Sequence, residues 1–384
     1  MSLASITDGY NREYDRITRA AIAEISLLVR NASPEEAARI VSRVYRKYGI
    51  DEKTGRIAIN MVQKGAAFGV GVKQVADPVE FRRTYLNHVY DPEGVTFSQR
   101  IAEMRDHGPL INALRDAMAG KQAWNSAAQS VFQLGLQKAD VAKDIRALIS
   151  KARGEFALSE DGAGFVKYKT SVQAVQRRID RLVKPSTSTL KNSYQRVVDL
   201  TADASVEAVE KAAKYAHYFK EKYNTTRIVS TEVSRAYGQA RIVEMAADDD
   251  VVACRSKLNS GHEKKDVCDF YATADLYGMG PGIYPKDHLP PYPYHPFCAC
   301  SLIDVYAGEV PEKSVDDFNP AAAKRYLKQL PADEQAQLLG KAGAKAFRSG
   351  EADWQEVLKS YNPPVTVTPK IPLEVLRGRS NKKK

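Results

Sequence analysis

Between Cys268 and Cys300 the chain reads CDFYATADLYGMGPGIYPKDHLPPYPYHPFCAC, which holds three of its four cysteines and two of its six histidines. Thiols and imidazoles gathered in one stretch suit a metal site, a disulfide or a packed knot of reduced side chains. His295 and Cys298 are three apart across Pro296, a spacing that lets a tight turn aim both side chains inward. Cys298 and Cys300 are two apart, so in extended chain both sulfurs lie on one face. Cys268, from a neighbouring strand or turn, completes three sulfurs and one nitrogen, a donor set that suits structural zinc. Cys254 and His262 are substitutes, and His288 is a more distant one. The paired CxxC is missing, because Tyr271 occupies the place of a second ligand. The same residues also fit four reduced thiols in a loop packed by Tyr271, Tyr277, Tyr284, Tyr292 and Tyr294. A Cys254–Cys268 or Cys268–Cys298 disulfide ranks third, since the first twenty residues lack the apolar stretch of a secretory signal.

Catalytic patterns are missing from the sequence. A zinc deaminase needs HxE and a later PCxxC, whereas here His262 and Glu263 are adjacent and the later pair is CAC. There is no P-loop, nucleophile elbow or HExxH. Glu232 is a lone carboxylate on an amphipathic helix pattern, expected as a surface or salt-bridged residue. No catalytic residue is assigned, and the chain is read as a non-enzyme.

The elements that must position the cysteines are mostly helical. Ile17, Ala20, Ala21, Ile25 and Leu28 repeat at helical spacing within 10–31. SPEEAARIVSRVYRKYG opens with Ser33 as N-cap, Pro34 in the first turn and Glu36 closing a capping box, and it stops at Gly49. Further helical patterns cover 79–90, 98–119, 123–136 and 141–153, and glycines 154, 162 and 164 mark a hinge. Beyond it come apolar stripes within 172–183 and 206–219, then TRIVSTEVSRAYGQARIVEMA as one more helix. Val251, Val252 and Cys254 read as a short strand, and CSLIDVY as another. Residues 318–358 return to helix, interrupted at Gly340 and Gly350. From Tyr361 the prolines forbid regular helix, so the end is expected as an extended arm, ordered only where something grips it.

The predicted fold is mainly α: a multi-helix body over 1–160, a basic helical stem over 161–250, and a small irregular α+β Cys/His module over 251–310. Helices over 311–360 and an extended basic tail over 361–384 complete it.

A hydrophobic fraction of 43% supports a buried core and excludes a wholly disordered chain. No apolar run reaches membrane-spanning length, so no membrane partner is expected. The net charge of +10 is concentrated: 165–197 carries +7 and 370–384 carries +5, leaving the rest at −2. Arg177, Arg178, Arg181, Lys184, Arg377 and Arg379 are the candidate contacts to nucleic acid or an acidic protein surface.

Three segments, STEVSRAYGQARI, CDFYATADLYGMGPGIYP and PYHPFCACSL, together resemble the phage Mu F-type minor head proteins, the head morphogenesis family. Thr231, Glu232 and Ala236 match that family's helix element. Cys268, Gly278, Gly282, Tyr284, His295, Pro296, Cys298 and Cys300 match its loop. The likeness covers roughly 227–305. The chain departs from the pattern at Tyr271, where members often carry a second Cys or a His, and at Ala299, where they carry a basic residue.

The resemblance implies a low-copy component of the phage head, bound at the portal vertex or inner shell. It implies as partners the portal protein, the major capsid or scaffold protein, and the packaged DNA. The expected location is the virion, with the host cytoplasm during assembly. The rival expectation is a metal-dependent nucleic-acid-processing enzyme or a toxin carried in the particle.

Overall fold

The computed structural model describes residues 2–28, 36–89, 94–108, 111, 174, 177, 222–262, 265–311, 313 and 315–378. The protein is mainly α, as the sequence periodicity predicts. Its chain divides into two compact units. One gathers Met1–Tyr10, Arg56–Ile101 and Thr226–Lys384, the other Asn11–Gly55 and Ala102–Thr225.

In the second unit, helix α1 (Leu3–Leu28) and helix α2 (Glu36–Tyr48) bury Tyr14, Ala21, Ile22 and Ile25 of the first and Ile40, Val41 and Val44 of the second. Lys47 Nζ and Tyr48 Oη both donate to the Glu24 carboxylate, at 2.7 and 2.8 Å. Gly49 ends α2 at φ 59°, where a side chain would be strained. His107 Nε2 meets Asp51 at 2.8 Å. The patterns at 123–136, 141–153, 172–183 and 206–219, the glycine hinge and most of the stem lie outside the described residues.

The first unit carries the module. Helix α3 (Ile50–Gly69) runs into it, followed by α4 (Pro78–Asn87), capped by Asp77, and α5 (Phe97–Glu103). Helix α6 (Lys222–Ala247) buries residues around its whole circumference, among them Val229, Val233, Ala236 and Ala240. Helix α3 has no counterpart in the sequence expectation, because Gly55, Gly65 and Gly69 break its pattern. Two of those glycines are what the fold requires. A Cβ on Gly65 would lie 2.5 Å from the Val233 carbonyl oxygen, and one on Gly69 2.7 Å from that of Tyr237. The two helices thus touch backbone to backbone. Gly65→Ala is expected to cost about 1–3 kcal/mol through overpacking, read as a lower denaturant midpoint; an unchanged midpoint would show that α3 and α6 can part freely.

The module follows as strand β1 (Val251–Lys257), helix α7 (Val267–Thr273), β2 (Ile283–Pro285), β3 (His288–Leu289) and β4 (Ser301–Tyr306). Antiparallel pairing puts β1 between β2 and β4, with Cys254 opposite Tyr284 on one side and Asp304 on the other. Both expected strands are present, yet the stretch between them is not aperiodic. It holds α7, opened by a reciprocal capping box between Asp266 and Asp269, and two very short strands. Seven residues show no helical repeat and three show no alternation, so local pattern was blind to them.

Helices α8 (Pro320–Gln329), α9 (Ala332–Ser349) and α10 (Trp354–Val357) complete the unit, with α9 kinked at Gly340 and ended by left-handed Gly350. The C-terminal arm is gripped by the protein itself. Strand β5 (Val365–Thr366) pairs with β3. Helix α11 (Leu373–Arg377) accepts hydrogen bonds from Ala76 and Asp77 at the start of α4. Ile371 and Leu376 are buried there, which answers what orders a proline-rich tail.

Candidate metal centre

Three thiols converge. Cys268, in the first turn of α7, meets Cys298 and Cys300 from the turn that leads into β4, and their sulfurs lie within 4.8 Å of one another. All three residues are buried. The Cys268–Cys298 sulfur separation is 3.7 Å, far from a bonded pair and close to the edge of a zinc–thiolate tetrahedron, about 3.8 Å for Zn–S bonds of about 2.3 Å. Every described cysteine is unbridged.

The chain holds this arrangement from several sides. The Cys298 N–H donates to the His295 carbonyl at 3.1 Å, closing a tight turn whose Phe297 adopts φ 65°. Ser234 of α6 donates to the Cys298 carbonyl at 2.5 Å, and Tyr292 donates to that of Cys300 at 2.6 Å. Asp266 accepts from the Cys268 N–H at 2.7 Å. The five tyrosines form the wall: Tyr284 donates to the Tyr271 carbonyl and Tyr294 to Ser256, and the rings of Tyr271 and Tyr294 lie 4.6 Å apart. Gly282, at φ 68°, lets the loop pass against the end of α7, where a Cβ would come 2.5 Å from the Ala272 carbonyl oxygen.

His295 stands beside the trio, grouped with Cys268 and Asp266, and has a defined tautomer. Its Nδ1 lies 2.6 Å from the Pro296 carbonyl oxygen, a pure acceptor, so Nδ1 carries a proton. In the neutral ring Nε2 then offers a lone pair. That atom is buried without a hydrogen bond, grouped with the Cys268 sulfur and an Asp266 carboxylate oxygen. Asp266 Oδ2 is 3.3 Å away, off the hydrogen-bonding direction. A lone pair facing a carboxylate and a thiol is the arrangement a cation resolves. A ring nitrogen bonded to a backbone carbonyl while the other faces the site is also how ligating histidines are held.

Acidity follows the same geometry. Burial opposes charge at Cys298, but the thiols of Cys268 and Cys300 and the nearby His295 draw its pKa well below the ordinary thiol range. Cys268 is pushed far up by its hydrogen bonds to Cys298 and Cys300 and by burial. At Cys300 the contact with Cys268 acts downward, while Cys298 and burial outweigh it and raise the thiol. Without a cation the sulfurs are held together by thiol hydrogen bonding, either sulfur of the Cys268–Cys298 pair being able to donate. A soft divalent ion would replace those protons, so the cluster can hold a metal.

The substitutes are employed elsewhere. Cys254 lies on β1, its thiol pushed up to about 12 by burial. His262 bonds Asp269 at 2.8 Å and lies 3.7 Å from Asp266, forming an oxygen- and nitrogen-rich cluster beside the thiols. His288 faces Thr366 of the arm. Sequence reasoning missed Asp266 and Asp269; the only local signal was their position two before and one after Cys268.

Glu232 is neither exposed nor free to act as a base. It is buried, with Oε1 bound by Arg235 Nε and Oε2 by Tyr85 Oη, both at 3.1 Å.

The basic candidates divide. Arg177 is exposed and helical, and Arg178, Arg181, Lys184 and Arg379 lie outside the described residues. Arg377, expected to face a partner, turns onto the chain: it donates twice to the Val70 carbonyl and lies 2.7 Å from Glu244. The reason is the unsatisfied carbonyl just past the end of α3. No described helix is long and apolar enough to cross a membrane.

Compared with protein-family models, with curated proteins and with solved structures, the chain matches none.

Proposed function

We propose that this protein is a low-copy minor head protein of a tailed bacteriophage, a head morphogenesis factor bound at the portal vertex or inner shell, whose Cys/His module is tied by structural zinc. One observation carries the reading. The residues that resemble the Mu F-type pattern are spread over some eighty positions from α6 to β4, and its cysteines and histidine are drawn together from two separate segments. Glu232 anchors α6, Ser234 grips the cysteine turn, Cys268, Cys298 and Cys300 gather their sulfurs, and His295 stands beside Cys268 and Asp266 at the edge of that trio. The zinc assignment rests on the donor chemistry: three buried sulfurs held among tyrosines, with the His295 imidazole next to Cys268 as the nearest nitrogen. Bound there, the ion would cross-link α7 to the turn before β4. The portal, scaffold and packaged DNA are the partners this role implies, with the basic stretch at 165–197 as the contact surface.

Two measurements test the role. Quantitative mass spectrometry of isolated heads should find the protein far below the copy number of the major shell protein and enriched with the portal. Incubation of the purified protein with DNA and divalent metal ions should leave the DNA intact. Absence from heads would overturn the structural role. DNA cleavage would favour the rival reading of a nucleic-acid-processing enzyme, for which the His262, Asp266 and Asp269 cluster is the place to look.

A further inference from the structure

The donor atoms around the thiol trio run on beyond it. Cys268, Cys298 and Cys300 form one group, and Asp266, Cys268 and His295 form a second whose donor atoms also lie within 4.8 Å of one another. Cys268 belongs to both, so its sulfur stands between two places that suit an ion. Helix α7 and the cysteine turn build the second place together. Asp266 is the N-cap of α7, and its Oδ1 accepts from the Cys268 N–H at 2.7 Å while Oδ2 faces His295.

The approach of Asp266 to His295 has the dimensions of a metal site and not of a hydrogen bond. Nε2 and Oδ2 are 3.3 Å apart, yet Nε2 makes no hydrogen bond and is itself shut from solvent. Nitrogen and oxygen donors bound tetrahedrally to one zinc at about 2.0–2.1 Å stand about 3.3–3.4 Å from each other. The His295 proton sits on Nδ1, against the Pro296 carbonyl, so a lone pair faces the carboxylate. Two lone pairs directed at each other repel, and a cation between them turns that repulsion into two bonds. The protein's own bases are placed on another carboxylate: Lys265 lies 3.3 Å and His262 2.8 Å from Asp269, with His262 3.7 Å from Asp266 Oδ1. Charge makes the same case. With its thiols ionised the combined set carries four negative charges, three on sulfur and one on Asp266. One divalent ion would leave two of them unmatched beside a buried cluster, whereas two ions balance the set.

We propose that Asp266, Cys268 and His295 hold a second zinc ion, with the Cys268 thiolate bridging it to the ion of the trio. The proposal rests on zinc in the trio and not on the head-protein role. Exposure separates the two positions. The three cysteines are buried, whereas the side chains of His295 and Asp266 are 23% and 38% exposed. Three protein donors also leave a tetrahedral ion one place for water. The second ion is therefore the weaker and faster to exchange, lost during purification and regained in free zinc.

Equilibrium dialysis of the full-length protein against micromolar zinc, followed by elemental analysis, tests it. The protein as purified is expected to carry about one zinc per chain, and the dialysed protein about two, given one ion for each donor group. Asp266→Asn keeps an oxygen to cap α7 but removes the charge, and His295→Gln removes the ring nitrogen. Each variant, checked for an unchanged melting temperature as purified, should keep the first equivalent and lose the second. Removing an outer partner of a metal ligand already weakens binding by about 10–100-fold, so losing a ligand should weaken the second Kd at least that much. Cobalt(II) added to the protein as purified should enter the second position without releasing zinc. Because Cys268 is shared, it should also develop a thiolate-to-cobalt charge-transfer band. The proposal fails if the dialysed wild type gains no second equivalent, if both variants gain it as readily, or if cobalt binds without that band. The two readings fail differently: loss of the second equivalent alone leaves the zinc-tied trio standing, and a wild type that takes up no zinc overturns both.

Discussion

Cys298→Ser is expected to strip the module of its metal and lower the melting temperature by about 6–12 °C. Elemental analysis of the wild-type protein should find about one zinc per chain, and the variant should lose most of it under mild chelation. The size follows from what a structural ion contributes. Bound zinc supplies about 10–16 kcal/mol in isolated fingers, but here a tyrosine-packed wall shares the task, so a net loss of about 3 kcal/mol is the scale. Such a loss shifts the midpoint by about 2–4 °C per kcal/mol in a unit of this size. Cys254→Ser is the control, because Cys254 is equally buried but stands on β1 outside the trio. It should keep its zinc. A wild-type protein without metal, or a Cys298→Ser variant that melts like it, would end the idea of an ion-tied knot.

Glu232→Ala is expected to be the most damaging change outside the cysteines, at about 3–5 kcal/mol, the usual cost of removing one member of a buried ion pair. It takes away the carboxylate that Arg235 binds and one of the two acceptors shared by Tyr85, whose hydroxyl also reaches the Glu232 backbone carbonyl at 3.1 Å. Glu232→Gln keeps the volume and an acceptor oxygen, and should cost less. The informative variant is the double, Glu232→Ala with Arg235→Met, which removes both charges and fills part of the space. It should recover much of the single variant's loss in chemical denaturation. If the two losses simply add, the pair is not a coupled unit and the fixing of Arg235 by Glu232 is wrong.

Both changes act on residues whose types were visible in the sequence but whose partners were not. The CAC pair and His295 lie within six residues, so turn geometry alone suggests a shared centre. Cys268 is thirty residues upstream, and only the fold shows that it arrives on a helix and not on a strand or turn. Arg235 was legible as a neighbour of Glu232 at helical spacing; Tyr85, 147 residues away, was not. The arm illustrates the opposite error. Its prolines correctly forbid long helix, yet they say nothing of the edge of β3 or the start of α4, where it docks.

By itself the sequence determined the mainly helical character, the strands flanking the cysteine stretch, the glycine interruptions of α9 and the soft-donor content of the module. Each is a matter of spacing along a few turns of chain, where backbone sterics and side-chain periodicity act alone. The tertiary structure decided the rest: the backbone contact of α3 with α6, the inward turn of Arg377 and the burial of Glu232. Those depend on which surfaces close on one another, and closure is a property of the packed whole, settled by burial and hydrogen-bond satisfaction between residues far apart in the chain.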